Sequence, residues 1–269
     1  LADKLTGIPG VASVDITGTV ERQLTLEALR NLVDLYDPKI TLIQGEAGAQ
    51  TRSDGNGAMK RFAWTEHKQL KYLLRTMICD LWCGLEFTSY FSTMDMIEAL
   101  RGRIADKASY LDYGYFGVIG ADFDENGRAV GTYTPKPSYY ALQNLAAVFA
   151  EDFEVCDLPV IFTPKDSLRF FSKDLPRAEV TVGGFKRDGG ELMAYWTPTD
   201  ILRSSTEGSV SFEIYSEYDS VRLIDPMDGS IYEIPEKLMK RDQFGMYRFT
   251  NLIVKDTPLL LEFGNFVKD

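Results

Sequence analysis

The stretch Lys39-Ile40-Thr41-Leu42-Ile43-Gln44-Gly45-Glu46-Ala47-Gly48-Ala49-Gln50 decides how this chain is read. A run of β-favouring apolar residues stops at a carboxylate set between glycines, the pattern of a buried strand running out into a loop. In a β/α barrel the reacting groups stand at the C-terminal ends of parallel strands, so Glu46 is better placed for chemistry than an acid on a helix surface. The competing reading is a solvated loop glutamate or a partner of a helix N-cap.

Length and charge narrow the alternatives. A chain of 269 residues, 45% hydrophobic and 12% aromatic, has material for one large domain or two ordinary ones. A net charge of -11 and a pI near 4.7 argue against a nucleic-acid partner and suit a neutral or cationic ligand. No apolar run is long enough for a membrane span. The three cysteines make no disulfide framework; Cys79 and Cys83, four apart on a helix, read as core packing. With His67 as the single histidine, no multi-histidine metal site or zinc-protease motif can be assembled, and neither a metal nor a cofactor is expected. His67 itself reads as structural. The sequence opens Leu1-Ala2-Asp3-Lys4 without an initiator methionine or a signal-peptide pattern, which reads as a fragment or processed product and assigns no compartment.

Outward from Glu46, Val11–Val20 predicts a strand, and Leu24–Tyr36 a helix with Leu26, Leu29, Leu32, Val33 and Tyr36 on one face. With the Glu46 strand these form a right-handed parallel strand-helix-strand unit. Residues 51–60 read as a polar loop on the Glu46 rim, and Thr65–Cys83 as a long helix closed by Gly84. Leu85–Phe91 predicts the next strand, ending at Ser92-Thr93-Met94-Asp95, and residues 96–113 an insertion with a short helix. Tyr115–Phe123 and Ala129–Tyr133 flank an Asn-Gly hairpin turn, and Pro137 opens a helix that stops near Asp152. Beyond residue 154 the pattern becomes that of a β-sandwich: Ser167–Ser172, Glu191–Trp196, Ser209–Tyr215, Val221–Ile224, Ser230–Ile234, Met246–Val254 and Pro258–Phe263 are short strands between turn residues. Its aromatics Tyr195, Trp196, Tyr215, Tyr218 and Tyr232 read as core or joint packing rather than a sugar-stacking platform. One boundary follows, dividing 1–153 from 154–269.

Taken in order, the Gly45-Glu46 strand end, the long helix, Tyr90-Phe91-Ser92-x-x-Asp95, the Gly117-Val118-Ile119-Gly120 hairpin and Lys136-Pro137-Ser138-Tyr139-Tyr140-Ala141-Leu142 resemble the closing part of retaining glycoside hydrolases of the (β/α)8 clan A superfamily. Val221–Gly229 and Asp256–Phe263 resemble the β-sandwich that often follows such a barrel. The resemblance spans about residues 39–264. It implies an α/β plus all-β chain: the C-terminal portion of a TIM barrel, about its last three strands, and then an antiparallel β-sandwich. It further implies a carbohydrate substrate, Glu46 as nucleophile, Tyr90 and Phe91 as candidates for the aromatic wall, and Gln44, Gln50, Arg52 and Asp95 as contacts to sugar hydroxyls. Because adjacent strand residues face opposite ways, at most one of Tyr90 and Phe91 meets substrate.

One departure stands out. The acid/base glutamate of that superfamily commonly follows an asparagine at the end of the fourth strand, and this sequence contains no Asn-Glu dipeptide. A partial parallel sheet also leaves apolar faces and an edge uncovered, so either a missing N-terminal barrel portion or self-association is expected to cover them. The alternative function is a non-catalytic carbohydrate-binding or structural relative of the barrel.

Overall fold

A computed structural model describes residues 19–51, 64–96, 115–124, 126, 128–162, 169–170, 180–203 and 205–268, with 19–25 and 169–170 described by backbone alone. The fold is mixed α/β, with few helices and many antiparallel strands. Helix α1 (Thr19–Tyr36) leads into strand β1 (Ile43–Ala47), helix α2 (Glu66–Trp82) and strand β2 (Phe87–Tyr90). The β3 (Ile119–Phe123) and β4 (Ala129–Pro135) hairpin then delivers the chain to α3 (Pro137–Val148). Eleven strands follow: β5 (Glu154–Cys156), β6 (Val160–Phe162), β7 (Arg169–Phe170), β8 (Thr181–Arg187), β9 (Gly190–Trp196), β10 (Glu207–Tyr215), β11 (Val221–Asp225), β12 (Ser230–Glu233), β13 (Met239–Arg241), β14 (Met246–Lys255) and β15 (Leu259–Gly264).

Among the described residues β1 and β2 form a two-stranded parallel sheet, which the chain after β2 extends by a parallel bridge from Met94 to Ile119. The strand expected at Val11–Val20 lies outside the described residues up to 18, and Thr19 and Val20 open α1 instead. That helix therefore starts five residues earlier than its apolar periodicity suggests. Its predicted apolar face is only partly covered: Leu26, Leu29 and Val33 are half-buried, whereas Leu32 and Tyr36 are exposed. The expected insertion helix within 96–113 falls outside the described residues beyond 96.

Helix α2 organises the rest. The Thr65 side chain caps it by accepting from the Lys68 N–H, and Gly84, at φ +68°, takes the left-handed turn that ends it. Leu70, Leu73, Leu74 and Ile78 pack with Ala141, Leu145 and Val148 of α3 onto one face of the sheet β12-β11-β15-β9-β8-β5. Its central strands β15 and β9 are buried on both sides. Along β9, Leu192, Ala194 and Trp196 join the helical layer, while Met193 and Tyr195 join the core against the second sheet, β13-β14-β10-β6 with β7 beside β10. Along β15, Leu260 turns to the helices and Leu259, Leu261 and Phe263 turn away. This is the period-two alternation of a strand with a core on each face. Tyr195 and Trp196 thus pack as core and joint, while Tyr215 and Tyr232 stay exposed.

A second stripe of α2 is basic, with His67, Lys71 and Arg75 each four residues apart. Lys71 Nζ sits 2.7 Å from Asp256 Oδ2 and 2.9 Å from the Arg203 carbonyl. Arg75 donates to the carbonyls of Asp256, Thr199 and Thr197 at 2.7, 2.7 and 3.1 Å. Burial pulls the Arg75 guanidinium down to about 10, with Asp256 opposing, so it stays charged at neutral pH. These bonds fix the strand-helix unit on the two-sheet unit and so orient the strand ends described next.

Candidate functional site

The parallel register pairs Ile43 with Phe87, Gln44 with Thr88 and Ala47 with Tyr90. Gly45 and Glu46 consequently stand opposite Ser89 alone, a β-bulge, which is a common device for re-aiming a side chain at the end of a strand. Glu46 is exposed there. Gln44 Nε2 donates to the Glu46 carbonyl at 3.0 Å, so its amide braces the bulge.

Beyond the bulge the backbone closes tightly on its neighbour. A side chain at Gly48 would run into the carbonyl oxygen of Phe91 and touch the Phe116 ring, so glycine permits that approach. The Phe91 N–H donates to the Ala47 carbonyl at 2.7 Å, and the Phe91–Ser92 peptide is cis. The Phe91 ring meets Phe116 edge-on, with centroids 5.5 Å apart. Tyr90 turns the other way, into the helical core. Its hydroxyl is buried, and burial pushes its pKa well above the ordinary tyrosine value. Gln50 is also buried, and its Nε2 has no hydrogen-bond partner among the described residues. Arg52 lies outside the described residues.

Asp95 is bound into the protein. It is 4% exposed, and Oδ1 accepts from Lys136 Nζ at 2.7 Å and from the Gly117 N–H at 2.8 Å, while Oδ2 accepts from the Ala121 N–H at 3.2 Å. Burial raises its pKa, and the Lys136 ammonium and the two N–H groups oppose the rise. Both oxygens are engaged by the protein, so the carboxylate ties the chain after β2 to β3. Asp15 lies outside the described residues.

The polar residues that hold the strand ends together are Gln69, Lys136, Thr51 and Ser138. Gln69 is fully buried, and its Nε2 donates to the carbonyls of Ala49, Phe116 and Gly117 at 3.0, 3.0 and 3.1 Å. Its Oε1 accepts from Ser138 Oγ at 2.6 Å. Lys136 Nζ also reaches Thr51 Oγ1 at 3.0 Å, and Thr51 in turn donates to the Tyr115 carbonyl. The sequence carries a trace of this set in Lys136-Pro137-Ser138 at a helix start and in a glutamine interrupting an apolar helix face. Nothing in the spacing says which carbonyls Gln69 meets. His67 is elsewhere, its Nε2 2.9 Å from Ser205 Oγ. Among the described residues no group of three or more His, Cys, Asp or Glu side chains is placed to hold a metal, and no helix is long and apolar enough to cross a membrane.

No known family pattern matches the chain, and no curated protein matches it. Among solved structures, a GH30 endoxylanase from Clostridium papyrosolvens superposes on 89% of this chain and 46% of its own, at 10% identity and a TM-score of 0.42. The chain spans a little under half the length of that structure. So loose a superposition leaves the chemistry to be argued from the residues.

Proposed function

We propose that the chain is the C-terminal part of a retaining glycoside hydrolase, comprising the closing strands of a (β/α)8 barrel and a trailing β-sandwich, with Glu46 as nucleophile. The observation that carries this reading is an exposed carboxylate in a bulge at the C-terminal end of a parallel strand, one strand away from the Phe91–Phe116 corner. In such chemistry a Glu46 oxygen attacks the anomeric carbon, and the bond to the leaving oxygen breaks with its electron pair. A second carboxyl group, about 5 Å from the first, protonates that oxygen and later activates water. Phe91 offers an apolar face for a sugar ring, and Gln50 brings to the same strand end an Nε2 that has no partner among the described residues. Gln44 and Arg52 complete the proposed contacts to hydroxyl groups. A carbohydrate is the proposed ligand, and no metal or cofactor takes part in this scheme.

The engaged state of Asp95 favours a second reading, in which the chain binds sugar without cleaving it. The encoding reading frame separates the two: an asparagine-glutamate pair at a strand end, a hundred or more residues upstream of Glu46, belongs to the enzyme. The direct test uses 2,4-dinitrophenyl 2-deoxy-2-fluoroglycosides, whose leaving group departs without a proton. Peptide mapping should find the glycosyl ester on Glu46, and Glu46→Gln should take no label. A label on any other carboxylate overturns the assignment.

A further inference from the structure

We propose that Gln69 is the positioning residue of the Glu46 site, a role that rests on the glycosidase reading above. The site is assembled from three backbone segments that no single element holds. These are the chain after β1 (Gly48–Thr51), the chain after β2 (Phe91–Asp95) and the approach to β3 (Tyr115–Val118). Gln69 bonds from α2 to the first and third of these at once, through Ala49 on one side and Phe116 and Gly117 on the other, beside the direct bond from Thr51 to the Tyr115 carbonyl. Phe116 is also the ring that Phe91 meets, and the Phe116 carbonyl accepts from the Ser92 N–H at 3.3 Å. Through Phe116, then, Gln69 sets where the aromatic corner stands relative to the strand that carries Glu46.

The chemistry of the group explains why it is a glutamine. Three carbonyl oxygens converge on one end of the amide, where only N–H donors are tolerated, and a hydroxyl donor, Ser138 Oγ, meets the other end. Reversing the amide would set oxygen against three oxygens, so the orientation is fixed by its partners. A glutamate there would be repelled as a carboxylate, and a methionine would fill the volume while taking the amide donor from all three carbonyls, Phe116 keeping only its bond from the Ser92 N–H. Ser138 in turn anchors Gln69 to the first turn of α3, whose preceding residue, Lys136, bonds to Asp95 and Thr51. Lys136 thereby adds the second segment to the same buried set.

The test compares the native chain, Gln69→Met, Gln69→Glu and a stability control, Thr199→Ala, which trims the joint beneath α2 and leaves the strand ends alone. One readout is the rate at which a 2,4-dinitrophenyl 2-deoxy-2-fluoroglycoside labels Glu46; the other is native-state amide exchange. Since a displacement of about 1 Å can cost about 10²-fold in rate, labelling should fall by about that factor in both Gln69 variants but not in the control. Exchange should rise at residues 48–51 and 116–119 while β10 and β14 keep native protection. Labelling of Gln69→Met at the native rate, or an exchange increase spread evenly over the chain, overturns the proposal. If the native chain takes no label, the glycosidase reading falls by itself. The exchange pattern then still decides whether Gln69 holds the strand ends.

Discussion

Replacing Gly48 by alanine should disturb the candidate site more than its one methyl group suggests. The added carbon meets a backbone carbonyl rather than a movable side chain. Such overpacking typically costs about 1–3 kcal/mol, and urea unfolding should show it as a lower midpoint with an unchanged slope. Glu46→Gln should leave that midpoint unmoved, because the side chain is exposed and makes no ion pair among the described residues. Equal midpoints for native and Gly48→Ala would show that Phe91 can yield. Of the single residues, Glu46 and Phe91 were legible as site candidates, since an acid and an aromatic residue at strand ends announce themselves by type and place. The bond from Asp95 to Lys136 is not legible, because a carboxylate after a strand looks the same in sequence whether or not a lysine 41 residues away reaches it. The role of Gln69 is not legible, because the three carbonyls to which it donates are backbone groups, which leave no trace in side-chain identity.

Helix α2 carries the clearest energetic predictions among the elements. Lys71 and Asp256 form a buried ion pair with side chains 0% and 2% exposed. Removing one partner strands the other charge, so Lys71→Met should destabilise by about 3–5 kcal/mol in denaturant unfolding. The double variant Lys71→Met/Asp256→Leu should recover part of that loss. His67 adds a pH dependence. Burial and, next, Lys71 lower its pKa below the ordinary 6.5, with Asp256 opposing and Lys255 and Lys68 reinforcing. The unfolded chain then binds the proton more readily than the folded one. Stability is therefore fully present above about pH 6.5 and declines as pH falls from there through the folded-state value. Thermal melting between pH 8 and 5 should show this decline in the native chain and a flatter profile in His67→Gln. The helices α2 and α3 were legible because apolar spacing, the Thr65 cap, Pro137 and Gly84 all agree. Strand β8 was not, since Gly183 and Gly184 weaken its pattern, yet both are required. Gly183 lies under the Trp82 ring, and Gly184 lies against the Cys156 carbonyl. Strands β5, β6 and β13, three residues each, are too short for any period to emerge.

At the scale of the molecule, the parallel pair leaves a surface that favours association. Ile43 and Phe87 are register partners exposed by 58% and 56%, and Leu35 and Tyr36 at the end of α1 are more exposed still. Sedimentation of the purified chain should show concentration-dependent assembly, and Ile43→Lys/Phe87→Lys should reduce it; identical profiles would place any contact elsewhere. With Asp95 held by Lys136 and no Asn-Glu pair in the sequence, the chain alone should not hydrolyse unactivated glycosides, since general acid assistance contributes about 10²–10⁴-fold. Robust turnover lost in Glu46→Gln would reveal such a group among the remaining acids. The sheet shared by the two cores has a thermodynamic consequence of its own. Leu192, Ala194 and Trp196 belong to the helical layer, yet the strand that carries them is held by Met193 and Tyr195 from the opposite side. Neither half can melt without stripping a face of the other, so the chain should unfold as one cooperative unit. Its calorimetric and van't Hoff enthalpies should then coincide, whereas a chain built as two separable bodies would show a calorimetric enthalpy well above the van't Hoff value.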